Sequence, residues 1–220
     1  MTQAVFEGLE GVLVAKTELS LVDGAQGRLV VRGRAIEDLV GRVPFEGMLQ
    51  LLLASDPVGA ELAQARARAF ALLAPRWAAL RGPDAMTALV SALSILPPHA
   101  TPCDALGMAA VATAAWIRGE LVQEPDLRLG HAHDTLRLLR GRDVSAAEAA
   151  LLDAYFVTVA EHGFNASTFA ARVAASTGAA LPAALLAGVA TLSGPLHGGA
   201  PGPVLDLLDA VATPERRCSA

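Results

Sequence analysis

A chain of 220 residues can bury a sizeable core, and 53% apolar against 18% charged residues is apolar-rich for a soluble domain, so much of its surface is expected to be covered. The formal charge is −5, with a single lysine, Lys16, and scattered arginines that form no basic stripe, which argues against nucleic acid as a partner. Cys103 and Cys218 lack CxxC spacing and read as free thiols of a reducing, cytoplasmic compartment, and the opening "MTQAVFEGLEG" has neither a basic nor an apolar leader segment.

Residues 12–33, "VLVAKTELSLVDGAQGRLVVRG", predict a small hairpin, because β-branched runs flank the turn signal "DGAQG". Helical patterning follows. "PFEGMLQLLLAS" starts at Pro44 with an apolar face, and residues 60–80 repeat Ala, Leu and Arg at helical spacing. "PDAMTALVSALSIL" and "PCDALGMAAVATAAWIRG" each place Pro and Asp at a helix start. Both are apolar nearly all round, which predicts burial, including between subunits.

"SAAEAALLDAYFVTVAEHG" begins with a capping box, Ser145 with Glu148 three residues on, and is expected to run to about Glu161 and break near Gly163. "NASTFAARVAAST" restarts a helix with Gly178 as its stop. "LPAALLAGVATL" is a further buried helix. "APGPVLDLLDAV" opens on two prolines and carries Leu205, Leu208 and Val211 on one face. The fold class is all-α with a short N-terminal β-hairpin.

No Asp, Glu, Lys or Arg occurs from Val173 to Leu205. That length could span a bilayer, but the stretch is mostly Ala and Gly, is interrupted by Pro182 and Pro195, and holds too few Leu and Ile for insertion. Buried helices, and no membrane, are the expectation.

Two histidines raise the question of chemistry. His197 lies in "GPLHGGAPGP", a turn between two helices. Gly198 and Gly199 allow close approach of a ligand, and the positive end of the helix starting near Pro201 disfavours imidazolium. A neutral imidazole there can donate a hydrogen bond to a carbonyl and stabilise an enol. The alternative is a histidine that only caps the turn. His162, in "EHGFNAST", sits at a helix break with Asn165, Ser167 and Thr168 within one turn. Such donors suit a small carboxylate or keto ligand, although Asn165 can equally serve only as a helix cap. His131 and His133 form an HxH pair beside Asp134. The region reads as a polar loop before a helix, hence as surface rather than metal site. His99, after Pro97 and Pro98, reads as loop.

"GLEGVLVAKTELSLVDGAQGRL" with "RGRAIEDL", then "HGFNASTFAARVAAST" and "SGPLHGGA", together resemble the citrate synthase family, in the same order and from about Gly8 to Ala212. The resemblance implies a citrate-synthase-like large helical domain over residues 1–212, an unmatched tail over 213–220, and a homodimer. It implies condensation of oxaloacetate with acetyl-CoA to citrate and free CoA. His197 then resembles the histidine that stabilises the enol, and His162 with Asn165 the oxaloacetate-binding segment. No metal and no cofactor are implied, acetyl-CoA being a substrate.

Relatives with the same motifs make 2-methylcitrate from propionyl-CoA, and the sequence does not separate the two. Many members read HGGANE where this chain has Pro201 and Gly202, and many carry a histidine at the position of Val159. The family's small domain, with its aspartate base, arginines and most of the CoA site, is expected to be absent from these 220 residues. The alternative to a synthase is accordingly a truncated, non-catalytic dimeric remnant that at most binds a dicarboxylate. Exposed apolar surface, with poor solubility or tight oligomers, is expected in that case.

Overall fold

The computed structural model describes residues 15–121, 123–198 and 201–211. It opens on an antiparallel sheet of three short strands, β1 (Ser20–Asp23), β2 (Arg28–Val31) and β3 (Arg34–Ala35). Ser20 stands opposite Val31, and Asp23 opposite Arg28. Asp23 closes the first turn by accepting the Gln26 N–H at 3.1 Å, an Asp-initiated turn of the kind the sequence announces. The expected hairpin is therefore present with one strand added, while residues 12–14 and Cys218 lie outside the described residues.

A 3-10 turn at Ile36–Asp38 leads into the helices: α1 (Phe45–Leu53), α2 (Gly59–Leu73), α3 (Trp77–Leu80), α4 (Ala85–Ser94), α5 (Pro102–Arg118), α6 (His131–Arg140), α7 (Ala146–Val159), α8 (Ala166–Ser176), α9 (Leu181–Leu192) and α10 (Pro201–Val211). The helix starts follow local chemistry. Asp84 caps α4, and Asn165 caps α8. Ser145 and Glu148 form the expected capping box of α7, and Thr101 with Asp104 forms a second one at α5. Each such cap contributes roughly 1 kcal/mol.

Three expectations are corrected. The pattern over 60–80 is two helices, because Pro75 cannot donate into a continuing ladder. Helix α7 stops at Val159, ahead of Glu161. The HxH pair is not surface loop: His131 is the first residue of α6 and is buried. What starts α6 is a contact between distant segments, the Glu46 carboxylate of α1 accepting the His131 N–H.

Two apolar cores hold the layers together. One joins Leu73, Trp77, Leu93, Met108 and Val111 of α2–α5, and the other joins Val31, Leu39, Met48, Leu62 and Val157. Each large side chain buried there is worth about 1.5–3 kcal/mol. α2 packs along α5, α8 along α9, and α4 bridges α5 and α9. A buried charge cluster ties α2 to α6. Arg66 Nε donates to Asp134 Oδ2 at 2.8 Å, Arg137 Nε donates to Asp134 Oδ1 at 2.9 Å, and Arg66 Nη2 donates to the Leu129 carbonyl at 2.9 Å. Full pairing is what permits these charges inside.

Several apolar side chains remain exposed, notably Leu151 and Tyr155 on α7 and Val204, Leu205, Leu207 and Leu208 on α10. No described helix is long and apolar enough to cross a membrane.

Candidate active site

The loop from α7 to α8 is positioned by the N-terminal sheet. Glu161 Oε1 accepts the Ser20 hydroxyl and the Gly163 N–H, both at 2.7 Å. Gly163 has φ +92°, and a Cβ there would stand 2.8 Å from Val22 Cγ2, so the position requires glycine. Arg172 lies over the Phe164 ring at 5.9 Å and steadies the same loop from α8. His162 is thereby presented at the surface.

Asn165 does two things at once. Its Oδ1 accepts the Thr168 N–H at 2.9 Å, which caps α8, and also the Ser167 hydroxyl at 2.8 Å. A backbone N–H can only donate, so the oxygen end of the amide is fixed there, and the amino end faces His162. Asn165 Nδ2 donates to His162 Nε2 across 3.0 Å. His162 then carries its ring proton on Nδ1 and offers a donor outward.

His197 sits in the turn after α9, its N–H donating to the Gly194 carbonyl at 3.0 Å. Helix α10 starts at Pro201, as the sequence predicts. His197 Nε2 meets Ser167 Oγ at 2.9 Å. With the serine proton directed at Asn165, Nε2–H donates to Oγ, and Nδ1 is the ring atom left open.

The structure thus brings together every residue the sequence singled out at this site, His162, Asn165 and His197, in one hydrogen-bonded line through Ser167. The first turn of α8 holds no acidic side chain, so its free N–H groups and dipole favour an anion beside His162. Glu161, the neighbouring carboxylate, is held by Ser20 and Gly163. The chemistry on offer is hydrogen bonding to carboxylate and carbonyl oxygens.

Ser167 is the residue that sequence reasoning undervalued. It was visible as one donor in the first turn of α8, but its contact with His197 spans 30 positions and depends on α8 packing along α9. The other histidines lie elsewhere. His133 Nε2 stands 3.1 Å from the Val144 carbonyl, and among the described residues no group of three His, Cys, Asp or Glu side chains is arranged to hold a metal. Cys103 is free and buried, and burial pushes its thiol pKa up.

Comparison with known proteins identifies the family. The family described as "Citrate synthase, C-terminal domain" matches residues 8–219. Citrate synthase of Haloferax volcanii is 34% identical over 236 residues, which take in 94% of this chain and 62% of that protein. The 2-methylcitrate synthase of Mycobacterium tuberculosis is 32% identical, over 88% of this chain and 55% of that protein. The crystal structure of citrate synthase from Thermotoga maritima superposes with a TM-score of 0.79 at 26% identity, covering 97% of this chain and 62% of that one. The chain therefore spans about three-fifths of the length of these relatives.

Proposed function

The chain belongs to the citrate synthase family, and on that premise we propose that it takes part in condensing oxaloacetate with an acyl-CoA, acetyl-CoA in the first instance. A general base takes a proton from the acyl methyl group, and the resulting enol carbon bonds to the keto carbon of oxaloacetate. The keto oxygen takes up a proton, and hydrolysis of the thioester releases citrate and CoA. His162, with Nε2 accepting from Asn165, donates Nδ1–H to oxaloacetate, whose negative charge is favoured at the start of α8.

His197 is the group for the thioester carbonyl. Its open ring atom is Nδ1, and for Nδ1 to carry a proton the Ser167 hydroxyl must turn from Asn165 to Nε2. Ser167 is on this reading a positioning residue that sets the tautomer of His197. The observation that carries the proposal is that Asn165 and Ser167 link His162 to His197 in the ligand-free chain. The link couples a carboxylate-binding end to a carbonyl-polarising end, and an enol-forming condensation needs both.

The test is to mix the purified chain with oxaloacetate and acetyl-CoA and follow release of the CoA thiol, with His197→Ala alongside. Release that disappears in the variant supports catalysis by this chain. A folded wild type that releases nothing, yet binds oxaloacetate through His162, overturns turnover and leaves dicarboxylate binding as its activity. The same assay with propionyl-CoA separates citrate from 2-methylcitrate formation.

A further inference from the structure

His131 lies away from the line of His162 and His197, in an aromatic cluster. Its ring stacks on Phe45 with centroids 5.4 Å apart and tilts against Phe156 at 5.9 Å. Arg66 Nη1 stands 3.3 Å from His131 Nδ1. A guanidinium has only donors, so Nδ1 accepts, and the proton of the neutral ring is on Nε2. Burial, followed by the nearby Arg66 charge, holds the ring pKa down to about 3, so the ring is neutral at physiological pH. One helical turn further along α6, Thr135 is 5% exposed, and its hydroxyl has no hydrogen-bond partner.

Both side chains line one cavity of about 350 Å³ between α1, α5, α6 and α7, whose other walls are apolar apart from Thr113 of α5. Buried polar groups are nearly always paired, so an orphan hydroxyl beside a ring N–H committed to donating marks a place where an acceptor is wanted. The size falls within the usual ~300–1,000 Å³ of small-molecule sites. Charge decides the kind of acceptor. Asp134 answers both Arg66 and Arg137, and Glu46 adds a carboxylate at the His131 N–H. Among the described residues that line the cavity there is no Arg or Lys to hold an anion.

We propose that this cavity binds a small, uncharged, apolar molecule through a single carbonyl oxygen, which accepts from His131 Nε2–H and Thr135 Oγ1–H while its hydrocarbon part fills the space along α5 and α7. The site is separate from the condensation chemistry, and its readout is binding alone.

The probe is 2-heptanone carrying a 13C-carbonyl label, titrated into the full chain and followed by the carbonyl carbon shift, with unlabelled heptanoate as competitor. Two variants accompany the wild type. Thr135→Val removes the orphan hydroxyl without changing shape and is expected to melt at or above the wild-type temperature. Ala109→Leu fills the cavity from α5. Saturable binding with a downfield carbonyl shift is expected in the wild type, about tenfold weaker in Thr135→Val and absent in Ala109→Leu, with heptanoate failing to compete. No saturable binding to the wild type overturns the proposal. So does binding that both variants retain unchanged, or displacement by heptanoate at lower concentration than the ketone.

Discussion

His197 and Ser167 are 30 positions apart and meet through a 2.9 Å hydrogen bond between Nε2 and Oγ. The contact joins the turn after α9 to the first turn of α8. Its partner bond, from Ser167 to Asn165 Oδ1, means that one hydroxyl proton decides which nitrogen of His197 is protonated. The helix cap and the tautomer are thereby set by neighbouring atoms.

Ser167→Ala removes that control and little else, since Asn165 still accepts the Thr168 N–H and α8 remains capped. Nitrogen-15 spectra of labelled histidine are expected to show His197 in one tautomer, protonated at Nε2, in the ligand-free wild type. The variant should show a mixture. Where CoA release is measurable, kcat should fall by about tenfold with the oxaloacetate KM unchanged, the value of one lost hydrogen bond. A single unchanged tautomer in the variant would show that Ser167 does not position the ring.

His131 makes stability depend on acid. Its pKa is lowered from 6.5 to about 3, first by burial and then by Arg66. Between those values the unfolded chain takes up a proton that the folded chain refuses, so stability falls as pH drops from about 6.5 towards 3 and is independent of this group above that window. The full effect is on the order of 5 kcal/mol. Urea midpoints measured from pH 7 to pH 4 should decline in the wild type. In His131→Phe the slope should be shallower, although the starting stability is also lower because Arg66 Nη1 loses its acceptor.

α2 and α5 touch backbone to backbone at Gly107. A Cβ there would lie 2.6 Å from the Ala65 carbonyl carbon and 2.8 Å from the Arg66 nitrogen. Both are main-chain atoms, so Gly107→Ala must part the helices and disturb Arg66 in the buried cluster. Overpacking of this kind costs about 1–3 kcal/mol, well above the gain in helix propensity from Gly to Ala. Thermal melting should show a lowered midpoint. A raised one would mean that the helices separate freely.

The parts of the fold and site that were legible in sequence are those fixed by short-range chemistry. The Ser145–Glu148 box, the Asn165 cap, the "DGAQG" turn and the Pro201 helix start each follow from residues within a few positions. The misjudged parts depend on distant partners. His131 looked like surface because the carboxylate that starts its helix, Glu46, is 85 positions away, and Arg66, which donates to its ring, is 65 away. Ser167 looked like one hydroxyl among several because His197 comes to it only after α8 and α9 pack. His162 and His197 were picked out by their glycine-broken surroundings and by family resemblance, and their connection is a property of the folded chain.

Asn165 can be split into its two functions by one substitution. In Asn165→Asp the oxygen that accepts the Thr168 N–H is kept, and aspartate caps helices about as well as asparagine, so the melting midpoint should move by only a few tenths of a kcal/mol equivalent. The donor to His162 Nε2 is replaced by a carboxylate oxygen. His162 must then turn its proton to Nε2 to meet it, which takes the Nδ1–H away from a ligand. The new negative charge also opposes an anion at the start of α8. Oxaloacetate binding, measured by calorimetry, is therefore expected to weaken by at least about tenfold, which is about 1.4 kcal/mol, in a protein of unchanged stability. Asn165→Ala should lose both properties, with about 1 kcal/mol of cap stability gone as well. If Asn165→Asp bound oxaloacetate as the wild type does, Asn165 would be a helix cap and nothing more, and His162 would lose its assigned role in holding the substrate.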